Sequence, residues 1–413
     1  MTLFGRTILL VAAAAPVPAV AATDWHAQGR DILKSAVEIP SVTHNREDVK
    51  ALVAYLKGRF ETAGLGDVTI KDHDGTQSMI VRWKAAGQPQ HRPVLLLGHL
   101  DVVDARREDW SRDPFRLIEE GGYLYGRGTI DMKNGIAAIT NALIRLKAEG
   151  FRPTRDIIVF FSGDEETEGK GAQRAATEWR NEIDAEFALN ADAGGGAFLG
   201  NGTLLGFSMQ TSEKMYQSFA FTARNPGALK ALETHRFAPM LNDTTRAYFD
   251  FRQKREPGPL GDAMRQWLRN PADGEAADLI EAHPSEIGST RTRCVATRLE
   301  GGHADNALPQ LARATVNCRI FPGVGAEAVK TELQALAGKD VVVESIGTSH
   351  PSPPSPLRSD VVNAFAAAVR ARHPGAEIVP SMSAGATDGL YFRAAGIPVY
   401  GVNGTWIVMP DDE

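Results

Sequence analysis

Apolar positions along the chain alternate between two periods. Val49, Leu52, Val53, Leu56 and Phe60 recur at helical spacing, and residues 25–39, ending before Pro40, read as an earlier helix. Residues 68–70 and 78–83 read as strands. Short continuous apolar runs at 93–97, 156–161, 186–189 and 398–402 have the pattern of strands buried on both faces of a sheet. Between them, 131–148 reads as a helix burying Ile136, Ile139, Leu143 and Leu146, and 361–369 as another. This strand–helix alternation predicts an α/β fold whose sheet is flanked by helices.

The pattern changes near Ser208. From there to about Gly347 the segments alternate apolar and polar residues, as at 218–223 and 314–320, which predicts half-exposed antiparallel strands with helices on one face. The proline-rich stretch 351–356 then leads back towards the first fold. The expected organisation is a discontinuous unit of residues 23–208 and 348–413 with an α+β insertion at 209–347. A length of 413 residues suits two domains better than one.

Composition narrows the function classes. A net charge of −6 supplies no basic stripe, so nucleic acid is not an expected partner. Arg6, the apolar run from Ile8 to Val20 and Ala19-Val20-Ala21 read as a cleavable export signal over residues 1–22. The mature protein is then expected in the periplasm or secreted, without a membrane association. Cys294 and Cys318 are the only cysteines. Their flanks alternate like strands around the turn Gly301-Gly302, which predicts that they face each other on neighbouring strands. One disulfide or two buried thiols both suit that arrangement.

Four polar elements follow buried strands, where open α/β sheets bind ligands. His99 and Asp101 are two apart, so on an extended chain they point to the same side. Asp131 stands at the mouth of a helix, between the glycines of Gly126-Arg-Gly128 and Gly135; a helix cap is the plainer role for it. Asp164, Glu165, Glu166 and Glu168 place four carboxylates within five residues, which repel one another unless cations neutralise them or solvent screens them. Asp192 precedes Gly194-Gly195-Gly196. One histidine among carboxylates suits zinc, with cobalt or manganese as alternatives.

The order HLD, GRGTIDMKNG, GDEETEG and an acidic residue before glycines resembles the M20 metallopeptidases and aminoacylases. The resemblance implies a zinc-peptidase-like domain with an inserted lid that can also dimerise, and hydrolysis of small peptides or N-acyl amino acids with a free carboxylate. It implies that Asp131 bridges two zinc ions, that His99 and Asp192 complete one, and that Glu166 binds the other. Glu165 becomes the general base, Asp101 the partner of His99, and a cis peptide follows Asp131. In the lid, Asn306 and Arg319 become contacts for the substrate carboxylate, and Gly385 part of a substrate loop. His303 has no implied role.

Two parts of that pattern are missing. The strand at 218–224 runs through Asn225-Pro-Gly227 straight into Ala228, without the glycine–histidine segment that the resemblance implies there. No histidine follows His373, where the resemblance implies a further metal ligand. The expectation is one firmly held zinc, one weakly held zinc and impaired turnover. The alternative is a weak or inactive protein of this type, acting as a metal- or peptide-binding module or surviving as a truncated remnant.

Overall fold

The computed structural model describes residues 23–409 apart from 66, 201, 224–234 and 303–310. Residues 1–22, read above as an export signal, the stretch after Ala223, His303, Asn306 and the last four residues lie outside the described residues. Helix α1 (Trp25–Glu38) starts at Asp24, whose carboxylate accepts the backbone N–H of His26 and Ala27, and it buries Ile32, Leu33, Ala36 and Val37. Helix α2 (Arg46–Thr62) buries the five positions that the periodicity selects. Helix α3 (Lys133–Ala148) completes the layer on that face.

The strands before the insertion are β1 (Asp67–His73), β2 (Thr76–Trp83), β3 (Val94–His99), β4 (Ile118–Glu120), β5 (Tyr123–Tyr125), β6 (Ile157–Ser162), β7 (Phe187–Asn190), β8 (Gly195–Leu199) and β9 (Leu204–Glu213). The insertion contributes β10 (Met215–Ala223), β11 (Arg293–Gly301), β12 (Ala312–Ile320) and β13 (Val341–Ile346). After it come β14 (Ile378–Ser383), β15 (Val399–Gly401) and β16 (Trp406–Met409). Ten of these form one mixed sheet in the order β1-β2-β6-β3-β7-β15-β9-β8-β16, with β14 beside β9. Its centre is parallel: β3 lies between β6 and β7, and β15 runs parallel to β7.

Both faces of that centre are covered, as parallel strands require. Val159 and Phe161 pack towards α2 and α3, while Leu95, Leu97, Ile158 and Phe160 pack against Ala172, Ala175 and Phe392 on the other side. The carboxyl ends of β3, β6 and β7 therefore lie side by side, and each carries a polar terminus: His99, Ser162 and Asn190.

A second, four-stranded antiparallel sheet has the order β11-β12-β10-β13 and its own core around Phe219, Val316, Ile320 and Leu333. Because β9 belongs to the large sheet through Glu213, the change of sheet falls at Lys214, later than the Ser208 expected from the pattern. Three helices, Asp243–Gln253, Gly258–Arg269 and Gly274–Glu281, form a further cluster around Phe249, Met264 and Trp267. No helix among the described residues is long and apolar enough to cross a membrane.

Cys294 and Cys318 are register partners on β11 and β12 and form a disulfide, with Cα atoms 4.1 Å apart. It closes a loop with a sequence separation of 24. Restricting such a loop in the unfolded chain is worth about 3 kcal/mol. Replacing both cysteines by serine should lower the unfolding free energy by about that amount, read as a lower denaturant midpoint at unchanged m. Unchanged midpoints, with two thiols labelling freely in the native protein, would contradict the bond.

Candidate metal centre

His99 ends β3 and is 1% exposed. Its Nδ1 lies 2.9 Å from the backbone carbonyl of Asp101. A carbonyl only accepts, so Nδ1 carries a proton and Nε2 is the nitrogen turned to the cleft. Around Nε2 stand Asp131 Oδ1 at 3.0 Å, Asp192 Oδ1 at 3.5 Å and Glu165 Oε2 at 3.9 Å.

Asp131 is not a helix cap. Helix α3 begins at Lys133, its cap position is Met132, and no side chain caps it. The Asp131 carboxylate instead accepts from His99 and is 62% exposed towards the opening. The Asp131–Met132 peptide is cis. Met132 is fully buried beneath the site, and its thioether passes so close to Gly98 and Gly135 that a Cβ there would come within 2.8 and 2.5 Å of its methyl. Those two glycines make room for the bridge between β3 and α3.

Asp101 acts on the acidic loop as well as on the ring. Its Oδ1 accepts the backbone N–H of Glu165 and its Oδ2 that of Glu166, both at 3.0 Å. It is 1% exposed. One carboxylate thus fixes the loop after β6 to the end of β3, while its carboxylate oxygen lies 3.6 Å from His99 Nδ1. The acidic cluster also divides by role: Asp164 accepts the backbone N–H of Lys170 and Gly171 and helps to build the turn, leaving Glu165 and Glu166 to face His99.

Two groups of side chains bring ligand atoms within 4.8 Å of one another: His99, Asp131 and Asp192; and His99, Glu165 and Glu166. Their electrostatics are those of anions without a counter-charge. Burial pushes Glu165 up to about 9, reinforced by Asp388, Asp192 and Glu166 against the opposing effect of His99. Burial likewise raises Glu166 to about 7, with Asp131 adding to it. Burial alone would lower His99, but Asp192, Asp101 and Asp131 outweigh it and hold the imidazole well above its ordinary value. One imidazole and four convergent carboxylates, three of them raised by burial, fit a divalent cation in donor type and in charge.

Arg319 on β12 and Gly385 are also brought together. Arg319 Nη1 donates to the carbonyl of Ala384 at 3.1 Å, and its guanidinium stacks over Tyr216. The Gly385 N–H donates to Ser383 Oγ. Two residues that site reasoning on the sequence passed over lie beside the cluster. Asp388 is 6% exposed and accepts from Ser162 at the end of β6; burial drives its carboxyl well above the ordinary range. Lys133 is fully buried, and its ammonium donates to the carbonyls of Ile39 and Pro40 at 2.8 and 3.0 Å, tying the α1–α2 connection to the Asp131 turn. The signal for Asp388 was present, since Thr387-Asp388-Gly389 follows a strand. Nothing local marked Lys133 as buried.

A mixed α/β sheet carrying an imidazole–carboxylate cluster at the ends of its central strands has the architecture of a metallohydrolase. The chain belongs to the family described as Peptidase family M20/M25/M40, which it matches over residues 95–412. It is similar to N-fatty-acyl-amino acid synthase/hydrolase PM20D1 of Xenopus tropicalis, with 27% identity over 88% of this chain and 76% of that protein. Aminoacylase-1 of Pongo abelii is 29% identical over 91% of this chain and 90% of its own length. Among solved structures, the M20 family metallo-carboxypeptidase Sso-CP2 from Sulfolobus solfataricus shares the fold with a TM-score of 0.65, covering 91% of each chain at 16% identity.

Raised carboxyls give the metal-free protein a defined response to pH. In the unfolded chain Glu165 and Glu166 lose their protons near ~4.3. The folded site retains them to about 9 and about 7. The stability this confers is present at low pH and is lost as pH rises through about 7 and then about 9. The melting temperature of chelator-treated protein should therefore fall between roughly pH 6 and 9. Zinc needs the deprotonated carboxylates, so adding it should reverse the fall and release protons, measurable by calorimetry in two buffers. A metal-free melting temperature that rises over that range would contradict the charge balance.

Proposed function

We propose that the chain is an exported, zinc-dependent amidohydrolase that cleaves small peptides or N-acyl amino acids bearing a free carboxylate. The observation that carries this reading is the convergence of Glu165, Glu166, Asp131 and Asp192 on the single imidazole of His99. Membership of the peptidase family and likeness to an aminoacylase and an N-acyl amino acid hydrolase support amide bonds as the target. The apolar run behind Arg6 and the disulfide support an oxidising destination.

His99, Asp131 and Asp192 would hold one cation, and Glu166 with Asp131 a second. Such an ion supplies Lewis acidity and makes a bound water more acidic. The protein's own part is proton transfer and positioning. Glu165 takes a proton from the attacking water and returns it to the departing amine. Asp101 holds the Glu165 and Glu166 backbone in place, and the carbonyl it offers to Nδ1 keeps Nε2 turned to the ion. Arg319 is suited to pair with the substrate carboxylate.

The two candidate groups share one nitrogen ligand among the described residues. We therefore expect unequal binding, with one zinc retained through dialysis and a second lost. Metal analysis per chain, run beside hydrolysis of dipeptides and N-acetyl amino acids, measures both points. Two ions retained equally would overturn the inequality; absence of hydrolysis at full metal occupancy would favour a binding module. Glu165→Gln should retain the first zinc and lower turnover by about 10²–10⁴-fold, the usual contribution of a positioned acid–base group. Undiminished turnover in that variant would remove Glu165 from the reaction.

A further inference from the structure

Asp192 reaches His99 from a turn outside the regular strands. Strand β7 ends at Asn190, β8 starts at Gly195, and residues 191–194 make the crossing. The Asp192 carboxylate lies 3.5 Å from His99 Nε2. A peptide unit is planar, so the plane of the Ala191–Asp192 peptide helps to decide the direction in which the Asp192 side chain leaves the turn.

Two asparagine amides hold that plane, one at each polar end. Asn190 Oδ1 accepts the Asp192 N–H at 3.2 Å, and Asn403 Nδ2 donates to the Ala191 carbonyl at 2.7 Å. Both polar groups of this peptide are thus satisfied by side chains rather than by a strand or helix partner. The orientation of the Asn403 amide follows from its partners. Its Oδ1 accepts the Thr405 N–H at 2.9 Å, and the Ala191 carbonyl, which can only accept, requires the amide nitrogen. Asn190 is 1% exposed and has a second task, since its Nδ2 donates to Thr387 Oγ1 at 3.2 Å.

The backbone brings Asn403 to this place from both sides. Gly401 is the register partner of Asn190, and the Val402 N–H donates to the Asn190 carbonyl at 2.8 Å. Beyond Asn403, the Thr405 carbonyl accepts the Gly196 N–H at 2.9 Å. The connection from β15 to β16 therefore runs along the whole Asp192 turn. Glycines permit the approach: a Cβ on Gly194 would come within 2.6 Å of the Gly401 carbonyl oxygen, and one on Gly135 within 3.3 Å of the Ala191 oxygen.

We propose that Asn403 is a positioning residue of the metal centre: by holding the Ala191 carbonyl, it fixes the peptide that aims Asp192 at the ion shared with His99 and Asp131. The inference rests on the metal-centre reading and extends it, because Asn403 acts through the backbone of Asp192 rather than on the ion. Without its donor, that peptide keeps only the longer bond from Asn190, and the Asp192 carboxylate gains orientations that do not face Nε2. Groups one step behind a metal ligand contribute about 10–100-fold to metal affinity.

The test compares the full chain with Asn403→Ala and Asn403→Leu. Both remove the donor without adding charge; leucine keeps the size of the side chain, and alanine covers the case in which leucine does not fit. Competition with a chromogenic chelator should show the more tightly held zinc weakened by about 10–100-fold in each variant. The melting temperature of the metal-free protein should stay unchanged, since Asn403 is only half-buried. Cobalt(II) in place of zinc should give visible absorption bands that shift in the variants, because these bands report ligand geometry and not overall stability. Unchanged zinc affinity and an unchanged cobalt spectrum in both variants would overturn the role of Asn403 and leave the metal centre standing. Affinity that falls only in step with the metal-free melting temperature, under the cobalt spectrum of the original chain, would overturn it as well and make Asn403 a residue of the fold alone. An original chain that retains no zinc and gives no cobalt bands would instead overturn the metal-centre reading, and the role of Asn403 with it.

Discussion

The concentration of negative charge around one buried imidazole constrains everything near the site. Asp131, Asp192, Glu165 and Glu166 crowd the buried ring of His99, with Asp131 open to solvent and the others partly buried, and such an arrangement is unfavourable without a cation or a bound proton. Holding it together requires rigid backbone from several directions. Three parallel strand ends supply most of that backbone, and Asp101 spans two of them by accepting successive N–H groups from the acidic loop. The Ser41 hydroxyl donates to the Leu100 carbonyl, the Thr43 N–H donates to the Val102 carbonyl and the Val102 N–H to the Ser41 carbonyl, so the connection before α2 closes on the same strand end. The carboxylates that do not face the cleft, Asp101, Asp164 and Asp388, each have a donor of their own. Scaffold and candidate ligands are thus the same residue type, separated by whether backbone or hydroxyl donors reach them.

A second buried pair ties the inserted region to this arrangement. Glu213, the last residue of β9, meets Arg393 from the helix Gly389–Ala394, and both are nearly inaccessible. Thr387 donates its N–H and hydroxyl to the same glutamate at 3.0 Å, and Ser352 adds a bond from the returning chain. Removing one member of a buried, hydrogen-bonded pair costs about 3–5 kcal/mol, because the other is left uncompensated. Glu213 stands directly before Lys214 and the change of sheet, while Thr387 stands directly before Asp388. The polar junction therefore ties the segment 383–389 to the change of sheet at Lys214 and, through Asp388 and Ser162, to the strand that leads into the acidic loop.

How much of this was legible in the sequence follows from where each constraint operates. The helices and central strands were readable because their patterns are local: five apolar residues at helical spacing in α2, and uninterrupted apolar runs in β3 and β6. The placement of the cysteines was readable for the same reason, since two alternating segments around a turn put Cys294 opposite Cys318, whereas the bond between them was not. The strands β14 and β16 were not. Ile378–Ser383 contains Pro380 and several polar residues, and it becomes a strand only because β9 offers it a parallel partner with a shifted register. Trp406–Met409 likewise depends on pairing with β8.

The site was legible in its residues but not in their division of labour. His99, Glu165, Glu166 and Asp192 could be picked out because polar residues directly after buried strands converge in space, and Asp131 by the glycines on both sides of it. Sequence could not say that Asp164 would be consumed by the N–H groups of Lys170 and Gly171, since that depends on the turn closing with Gly169 at positive φ. Nor could it assign Asp101 to the backbone of Glu165 and Glu166 as well as to the ring of His99, because those donors come from a loop 64 and 65 residues away. Lys133 is the sharpest case. A lysine in the first turn of a helix would ordinarily be solvated; here the carbonyls of Ile39 and Pro40 accept its ammonium, and burial lowers it to about 7. The partners that make such burial tolerable are supplied by a chain turn more than ninety residues earlier, and no local pattern around position 133 encodes them.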